Sequence, residues 1–282
     1  MAIPSRSLMV RPVAADPLSQ PELLLPTPGR ALGLKRAFDF TVALVMFVFA
    51  LPIIVLTLML VRMTSRGPGL YSQIRLGRHG RPFAIYKVRT MRQDAERFSG
   101  AAWSVPGDSR ITPVGRFLRA THLDELPQLW NVLRGDMSLV GPRPERPEFV
   151  PQLEQAIPYY RARLLVRPGV TGFAQVQSPP DSDLESVRLK LAYDIHYVRK
   201  QSFLFDVRIC LATAFKMVGV PFGAIRRAFA FAARETVDND YKNLAGDYAR
   251  KKQSHKAPSA AEGSRDAQQP MTLDSMLDPV RS

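Results

Sequence analysis

One stretch of about 22 residues without a charged side chain, 40–61, constrains this chain more than any other feature. As a single helix it is long enough to cross a hydrocarbon layer about 30 Å thick. Pro52 lies inside it. Proline lacks an N–H, and its ring clashes with the carbonyl four residues back, here Val48. A helix over 40–51 alone reaches only about 18 Å. Basic residues stand on both flanks, Lys35 and Arg36 before and Arg62 and Arg66 after, so charge does not orient a crossing. Two geometries satisfy these facts: a helix that enters, breaks at Pro52 and returns to the same face, and a kinked helix that crosses, since membrane helices tolerate proline. From the physics alone the two stand even.

The rest of the chain is polar and basic, with 39 Lys and Arg against 25 Asp and Glu and a net charge of +14. Such a surplus predicts attraction to polyanions such as anionic lipid headgroups, nucleotide diphosphates or nucleic acid. The single cysteine, Cys210, excludes an internal disulfide framework. With no CxxC or HExxH pattern, a zinc site is not expected.

Residues 1–34 are proline-rich and read as a disordered arm, ahead of a membrane helix at 35–66. Segments 69–76 and 82–91 look like a hairpin joined around Arg78-His79-Gly80-Arg81. Period-2 alternation puts Lys87 and Arg89 on one strand face. Residues 92–112 are loop-like, 112–122 a short helix, and apolar side chains recur at helical spacing from Leu123 onward. A loop follows at 141–147 and a helix at 151–165, with further helices at 186–200 and 203–218. The last mixes charges into an apolar background, as a buried or interface-lying amphipathic helix does and a second span does not. The catalytic domain is expected over 67–223. Residues 224–282 form a variable extension, disordered after about 250.

The residues best suited to chemistry are Asp124 and Glu125. Adjacent helical positions diverge by about 100°, so these carboxylates cannot flank a glycosidic bond as paired glycosidase acids do. They can divide labour on one substrate, because free N–H groups at a helix start hold a carboxylate ionised and welcome phosphate. A purely structural use competes: Thr121 followed by Asp124 resembles a capping box. Pro127 fits an early helical turn. Arg143 stands between Pro142 and Pro144, whose fixed φ stiffens the backbone and lets a guanidinium be aimed at a diphosphate. A surface arginine in a proline turn is the plainer alternative. The turn Arg167-Pro168-Gly169-Val170-Thr171-Gly172 can present backbone N–H groups to an anion.

Taken jointly, these segments resemble the bacterial sugar transferase family, the monotopic polyprenyl-phosphate phosphoglycosyl transferases, in their minimal form. The residues that carry the resemblance are Lys35-Arg36-Ala37-Phe38-Asp39, Tyr86-Lys87-Val88-Arg89-Thr90-Met91, the Asp124-Glu125 block through Gly141-Pro142-Arg143-Pro144-Glu145, the Arg167 to Gly172 turn, Tyr193-Asp194 and Tyr197-Val198. It implies an α+β, mostly helical fold: a re-entrant membrane helix broken at Pro52, then a small cytoplasmic catalytic domain with a short β-hairpin and amphipathic interface helices.

The resemblance further implies transfer of a sugar-1-phosphate from a UDP-sugar to polyprenyl (undecaprenyl) phosphate with release of UMP, the first step of exopolysaccharide, capsule or O-antigen synthesis. Asp124 would be the nucleophile, forming a phosphosugar–aspartyl intermediate. It would also contact Mg²⁺, while Glu125 assists as base or outer metal contact. Arg119, Arg143, Lys87 and Arg89 would hold phosphate. Arg167, Gly169, Thr171 and Gly172 would form a nucleotide-sugar loop. The implied place is the cytoplasmic face of the bacterial inner membrane. Membrane lipids are partners there, nucleic acid is not, and a homodimer is left open.

Three positions depart from the family pattern: Leu51 before Pro52, His122-Leu123 before the dyad, and Phe173-Ala174 after the glycine turn. A different class of function, a membrane-anchored basic adaptor without catalysis that binds lipid or nucleic acid, explains the charge but leaves the Asp124-Glu125 block without purpose.

Overall fold

The computed structural model describes residues 31–95, 107–179 and 183–256. Expectations for the arm at 1–30 and the tail at 257–282 lie outside these residues, as does the middle of the 92–112 loop. The chain opens with α1 (Ala31–Thr64), followed by the strands β1 (Leu70–Leu76) and β2 (Pro82–Val88). Next come α2 (Pro113–Ala120), α3 (Gln128–Arg134) and the short strand β3 (Ser138–Val140). Then follow α4 (Val150–Ala156), strand β4 (Gly169–Thr171), α5 (Phe173–Gln177), α6 (Leu184–Lys200), α7 (Phe203–Met217), α8 (Phe222–Ala228) and α9 (Arg234–Lys256). The structure is mostly helical, with two two-stranded sheets.

Helix α1 runs 34 residues without ending at Pro52, so the expected break is not seen as a loss of helix. The proline removes one intrahelical hydrogen bond, which a membrane helix tolerates, and Ala50 and Ile54 on either side of it are buried against the domain. The buried stripe Lys35, Asp39, Ala43, Ala50, Ile54, Thr57 and Val61 repeats at helical spacing along one face. The remaining faces expose Leu44, Val48, Phe49, Leu56, Met59 and Met63. A helix this apolar on its outer faces is membrane-associated; among the described residues it is the one long and apolar enough to cross a bilayer.

Both ends of α1 are fastened to the same domain. Near its start, Arg36 donates to the carbonyls of Val132 (2.8 Å) and Leu133 (3.2 Å) in the last turn of α3, where free carbonyls favour a cation. Asp39 accepts from the Ser138 hydroxyl at 2.7 Å, and Lys35 lies 2.7 Å from Asp206 on α7. Near its end, Val61 packs with Val88 and Leu118 in a small buried cluster, and Arg89 holds Ser65.

The hairpin forms as expected, antiparallel, with Tyr71 opposite Lys87. Strands β3 and β4 pair in parallel, a sheet the sequence pattern did not announce because three-residue strands carry no readable alternation. The main core lies behind them, where Tyr160, Phe173, Ile195 and Tyr197 are almost fully buried. The single helix expected at 151–165 is two pieces. Helix α4 ends at Ala156, and a 3₁₀ segment at Tyr160–Leu165 follows Tyr159, whose φ is 60°. Pro158 separates them, and the residue before a proline disfavours the helical region. The extension 224–282, expected to be disordered only after about 250, contributes most of α8 and all of α9, which runs on to Lys256. Val237 and Tyr241 of α9 are buried, and the Tyr241 hydroxyl donates to the Pro158 carbonyl at 3.0 Å.

Candidate active site

Helix α2 begins at Thr112, whose hydroxyl accepts from the Gly115 N–H at 2.9 Å, with Pro113 in the first helical position. A Cβ at Gly115 would lie 2.0 Å from the Thr90 carbonyl oxygen, so only glycine lets α2 dock against the end of β2. That docking brings the Arg119 Nε to the Thr90 hydroxyl at 2.8 Å. The helix ends at Thr121, whose hydroxyl donates back to Phe117 (2.9 Å) and Leu118. Thr121 therefore makes no capping box with Asp124. His122 then reverses the chain at φ 57°, a left-handed conformation that costs a non-glycine residue roughly 1–2 kcal/mol.

The reversal turns Leu123–Glu125 into a single 3₁₀ turn rather than the first turn of a longer helix. Pro127 caps α3 behind it, in the early-turn place its sequence position suggested. Helix α3 is fixed to β2 through Asn131, which accepts from the Tyr86 N–H (3.2 Å) and donates to the Ala84 carbonyl (2.8 Å). This side chain completes the open edge of the hairpin as a third strand would.

Within the turn the two carboxylates differ sharply. Glu125 Oε1 lies 2.8 Å from the Lys87 ammonium and 2.7 Å from Arg143 Nη2, and Oε2 lies 3.4 Å from Arg143 Nη1. Burial alone would raise its pKa. The charges and hydrogen bonds of Arg143 and Lys87 outweigh burial and hold the carboxyl well below the usual carboxylate range. Asp124 is buried and is engaged by no hydrogen bond or ion pair among the described residues. Burial first, then the adjacent Glu125 charge, push its pKa above the ordinary value of 3.8, against the pull of Lys87, Arg119 and Arg143. The Lys87 ammonium is pushed down by burial, with Glu125 opposing. The result is a carboxylate that is unpaired among the described residues and feels the charge of three cations, an arrangement suited to receiving an anionic phosphorus centre.

Of the residues singled out in the sequence, the structure gathers Asp124, Glu125, Lys87, Arg143 and Arg119. It does not gather the others. Strand β2 ends at Val88, so the alternation that paired Lys87 with Arg89 stops one residue short. Arg89 is instead buried against the end of α1, its Nη2 donating to the Ser65 carbonyl (3.0 Å) and hydroxyl (2.7 Å). Arg167 donates from Nε to the Gly135 carbonyl at 3.1 Å, among Arg36 and Arg78. The N–H of Gly169 is spent on the Pro142 carbonyl (2.9 Å), and the Thr171 carbonyl accepts from the Gly141 N–H (3.0 Å). The Thr171 hydroxyl shares a hydrogen bond with Thr213 at 2.7 Å. A Cβ at Gly169 would sit 2.1 Å from the Gly141 nitrogen and one at Gly172 2.2 Å from the Gly141 oxygen. These glycines therefore serve close packing of β4 on the Arg143 loop.

Sequence reasoning missed Thr90 and Asn131. Thr90 sat inside the quoted Tyr86 to Met91 motif, but its role depends on a helix 29 residues later in the chain. Asn131 carried no signal, since nothing in a helical segment shows that its amide will complete a distant strand. The described residues hold no cluster of three His, Cys, Asp or Glu side chains able to bind an ion on their own.

A protein-family model described as bacterial sugar transferase matches residues 30–220. The chain is 40% identical over 214 residues to the UDP-N-acetylgalactosamine-undecaprenyl-phosphate N-acetylgalactosaminephosphotransferase of Aeromonas hydrophila, covering 75% of this chain and 50% of that protein. It is 42% identical over 193 residues to the UDP-glucose:undecaprenyl-phosphate glucose-1-phosphate transferase of Caulobacter vibrioides, covering 67% and 71%. With the protein of the same name from Escherichia coli it shares 38% over 193 residues, covering 68% and 41%. The chain thus spans about half the length of the Aeromonas relative and less of the Escherichia one.

Proposed function

Since the chain belongs to the bacterial sugar transferase family, we propose that it is a polyprenyl-phosphate phosphoglycosyl transferase. It moves a sugar-1-phosphate from a UDP-sugar to undecaprenyl phosphate, releases UMP and initiates exopolysaccharide, capsule or O-antigen synthesis. The observation that carries this reading is the asymmetry of the 123–125 turn: Glu125 absorbs Lys87 and Arg143, and Asp124 stays unpaired beside them.

In the first step an Asp124 carboxylate oxygen attacks the β-phosphorus of the UDP-sugar. The new Asp–O–P bond forms as the bond from that phosphorus to the bridging oxygen breaks, and UMP leaves with the electron pair. In the second step an oxygen of polyprenyl phosphate attacks the same phosphorus, the aspartyl–phosphorus bond breaks, and the carboxylate is restored. Arg119, Lys87 and Arg143 offset the charge that gathers on the phosphoryl oxygens. Glu125 is held ionised by the charges and hydrogen bonds of Arg143 and Lys87. Its contribution is to fix Lys87 and Arg143 in place.

The donor set also fits a Mg²⁺ ion carried largely by substrate. Such an ion is ordinarily held by one or two carboxylates together with phosphate oxygens, and Asp124 is the carboxylate with coordination to spare. Bound there, the ion would neutralise the diphosphate.

The chain would carry this out on the cytoplasmic face of the inner membrane, with α1 entering and leaving by the same side. The attachment of both ends of α1 to one domain supports this. A helix crossing the membrane would carry one end away from that domain. Single cysteines near Lys35 and Arg66, with Cys210 replaced, should label from the same side of the membrane; labelling from opposite sides restores a spanning helix. The chemical reading is tested with Asp124→Asn, which should abolish UMP release from UDP-sugars and leave no adduct at position 124. Retained turnover would remove Asp124 from the mechanism.

A further inference from the structure

The loop that carries Arg143 is held by an unusual run of contacts, and one of them comes from a buried charge that the mechanism above does not use. Four consecutive carbonyls are tied to three parts of the fold: β4, the 3₁₀ segment and the end of β1. Pro142 accepts from the Gly169 N–H (2.9 Å), Arg143 from Arg163 Nη2 (2.9 Å), Pro144 from Arg75 Nη1 (3.1 Å) and Glu145 from the Leu76 N–H (3.0 Å). Two of these are backbone bonds, and Arg75 works from the edge of the hairpin. Of the four, Arg163 is the one that holds the Arg143 carbonyl.

Arg163 is buried in the 3₁₀ segment behind the site. Its other terminal nitrogen, Nη1, donates to the Tyr160 hydroxyl at 2.7 Å. Asp194 of α6, also buried, lies 2.9 Å from Nη2, and Glu145 lies 3.9 Å from Nη1. A buried ion pair of this kind adds little net stability over apolar side chains of the same volume. What a guanidinium supplies that they cannot is a rigid planar fork with fixed donor directions. Here one prong fixes the guanidinium to Tyr160 and Asp194 counters its charge. The other prong points at the Arg143 carbonyl, one peptide from the two prolines that stiffen the loop.

We propose that Arg163, held by Tyr160 and Asp194, is a positioning residue that directs Arg143 onto Glu125 by fixing the Arg143 carbonyl. It touches neither substrate nor the reacting atoms and acts entirely through Arg143. The inference rests on the transferase reading for its kinetic test, and it has a second test that does not.

The kinetic test is a double-mutant cycle on single-turnover UMP release by the full chain in lipid nanodiscs, with wild-type release established first. Arg143→Gln is expected to lose about 100-fold, as removal of one electrostatic donor does, and Arg163→Met about 10-fold. Because Arg163 works only through Arg143, the double variant should stay near the 100-fold loss of Arg143→Gln alone. A loss near 1000-fold, the product of the two, would overturn the proposal, as would an unchanged rate in Arg163→Met. A purely structural role lowers the melting temperature but does not produce this coupling. Should Arg163→Met fail to fold, Asp194→Asn takes its place in the cycle, with a loss of about threefold that vanishes in the Arg143→Gln background. Persistence of that loss would equally overturn the proposal. The second test reads the ¹⁵Nε–¹H resonance of Arg143, assigned by its disappearance in Arg143→Gln. It should broaden or shift in Arg163→Met and Asp194→Asn even if no UDP-sugar is turned over. An unmoved resonance counts against Arg163, and absence of wild-type UMP release counts against the transferase reading alone.

Discussion

Two charge networks in this molecule use nearly the same ingredients to opposite ends. Under the first turns of α1, Lys35 lies 2.7 Å from Asp206 and 3.5 Å from Asp39, Ser138 donates to Asp39, and the Tyr197 hydroxyl donates to Asp206 at 2.8 Å. Every charge there has a partner, and the set is closed by protein. At the 123–125 turn two cations converge on Glu125, and the neighbouring carboxylate receives none of them directly. Both Asp206 and Asp124 have their pKa raised by burial. Of the two, only Asp124 makes no hydrogen bond or ion pair among the described residues.

The sharpest way to break this comparison is at Asp124. Asp124→Asn is expected to cut UMP release by about 10³-fold or more, as loss of a covalent nucleophile does, and to raise the melting temperature. The sign follows from linkage. Because the folded-state pKa lies above the unfolded value, the stability this group provides is present while it is protonated and is lost as pH rises through the folded pKa. An uncharged amide escapes that loss at neutral pH. A lower melting temperature in Asp124→Asn would show that Asp124 is satisfied after all.

At the closed network, Lys35→Met should cost about 3–5 kcal/mol of stability, since it leaves Asp39 and Asp206 buried without their cation. Denaturant titration in detergent measures this, and the rate per folded molecule should hold. Glu125→Gln should lower UMP release about 10- to 100-fold, less than Asp124→Asn, because Lys87 and Arg143 lose their common anchor while the nucleophile remains. In the pH–rate profile, the acid limb should lie above pH 3.8 and belong to Asp124, since Glu125 stays ionised well below its ordinary 4.5. Glu125→Gln should therefore retain an acid limb; its disappearance would reassign the titration. The smallest effect is expected at His122, which contributes backbone conformation rather than charge. His122→Gly relieves the left-handed strain, so turnover should stay within about threefold of wild type and melting within a few degrees.

The same comparison shows how much could be read before folding. Asp124, Glu125 and Arg143 were legible because adjacent carboxylates and a proline-flanked arginine are local patterns. Lys87 was legible through strand alternation, and the hairpin through its turn residues. Arg89 was misplaced by that same alternation, since nothing local marks where β2 stops. Arg167, Gly169, Thr171 and Gly172 were read as a ligand loop; in the structure the Gly169 N–H, the Thr171 carbonyl and the small size of the two glycines pack β4 on the Arg143 loop. The hydrogen-bond capacity of a turn says nothing about whether another strand will consume it.

What the sequence determined by itself was the long apolar helix, the hairpin, most helix positions and the adjacent carboxylates we propose as the reactive pair, all properties of neighbours within about a turn or a strand. Only the tertiary structure decided which carboxylate would be neutralised, that Asn131 and Thr90 would brace the site, and that both ends of α1 would rest on one domain. Those outcomes depend on side chains many residues apart meeting in a buried space. There a charge is governed by what surrounds it rather than by what precedes it in the chain.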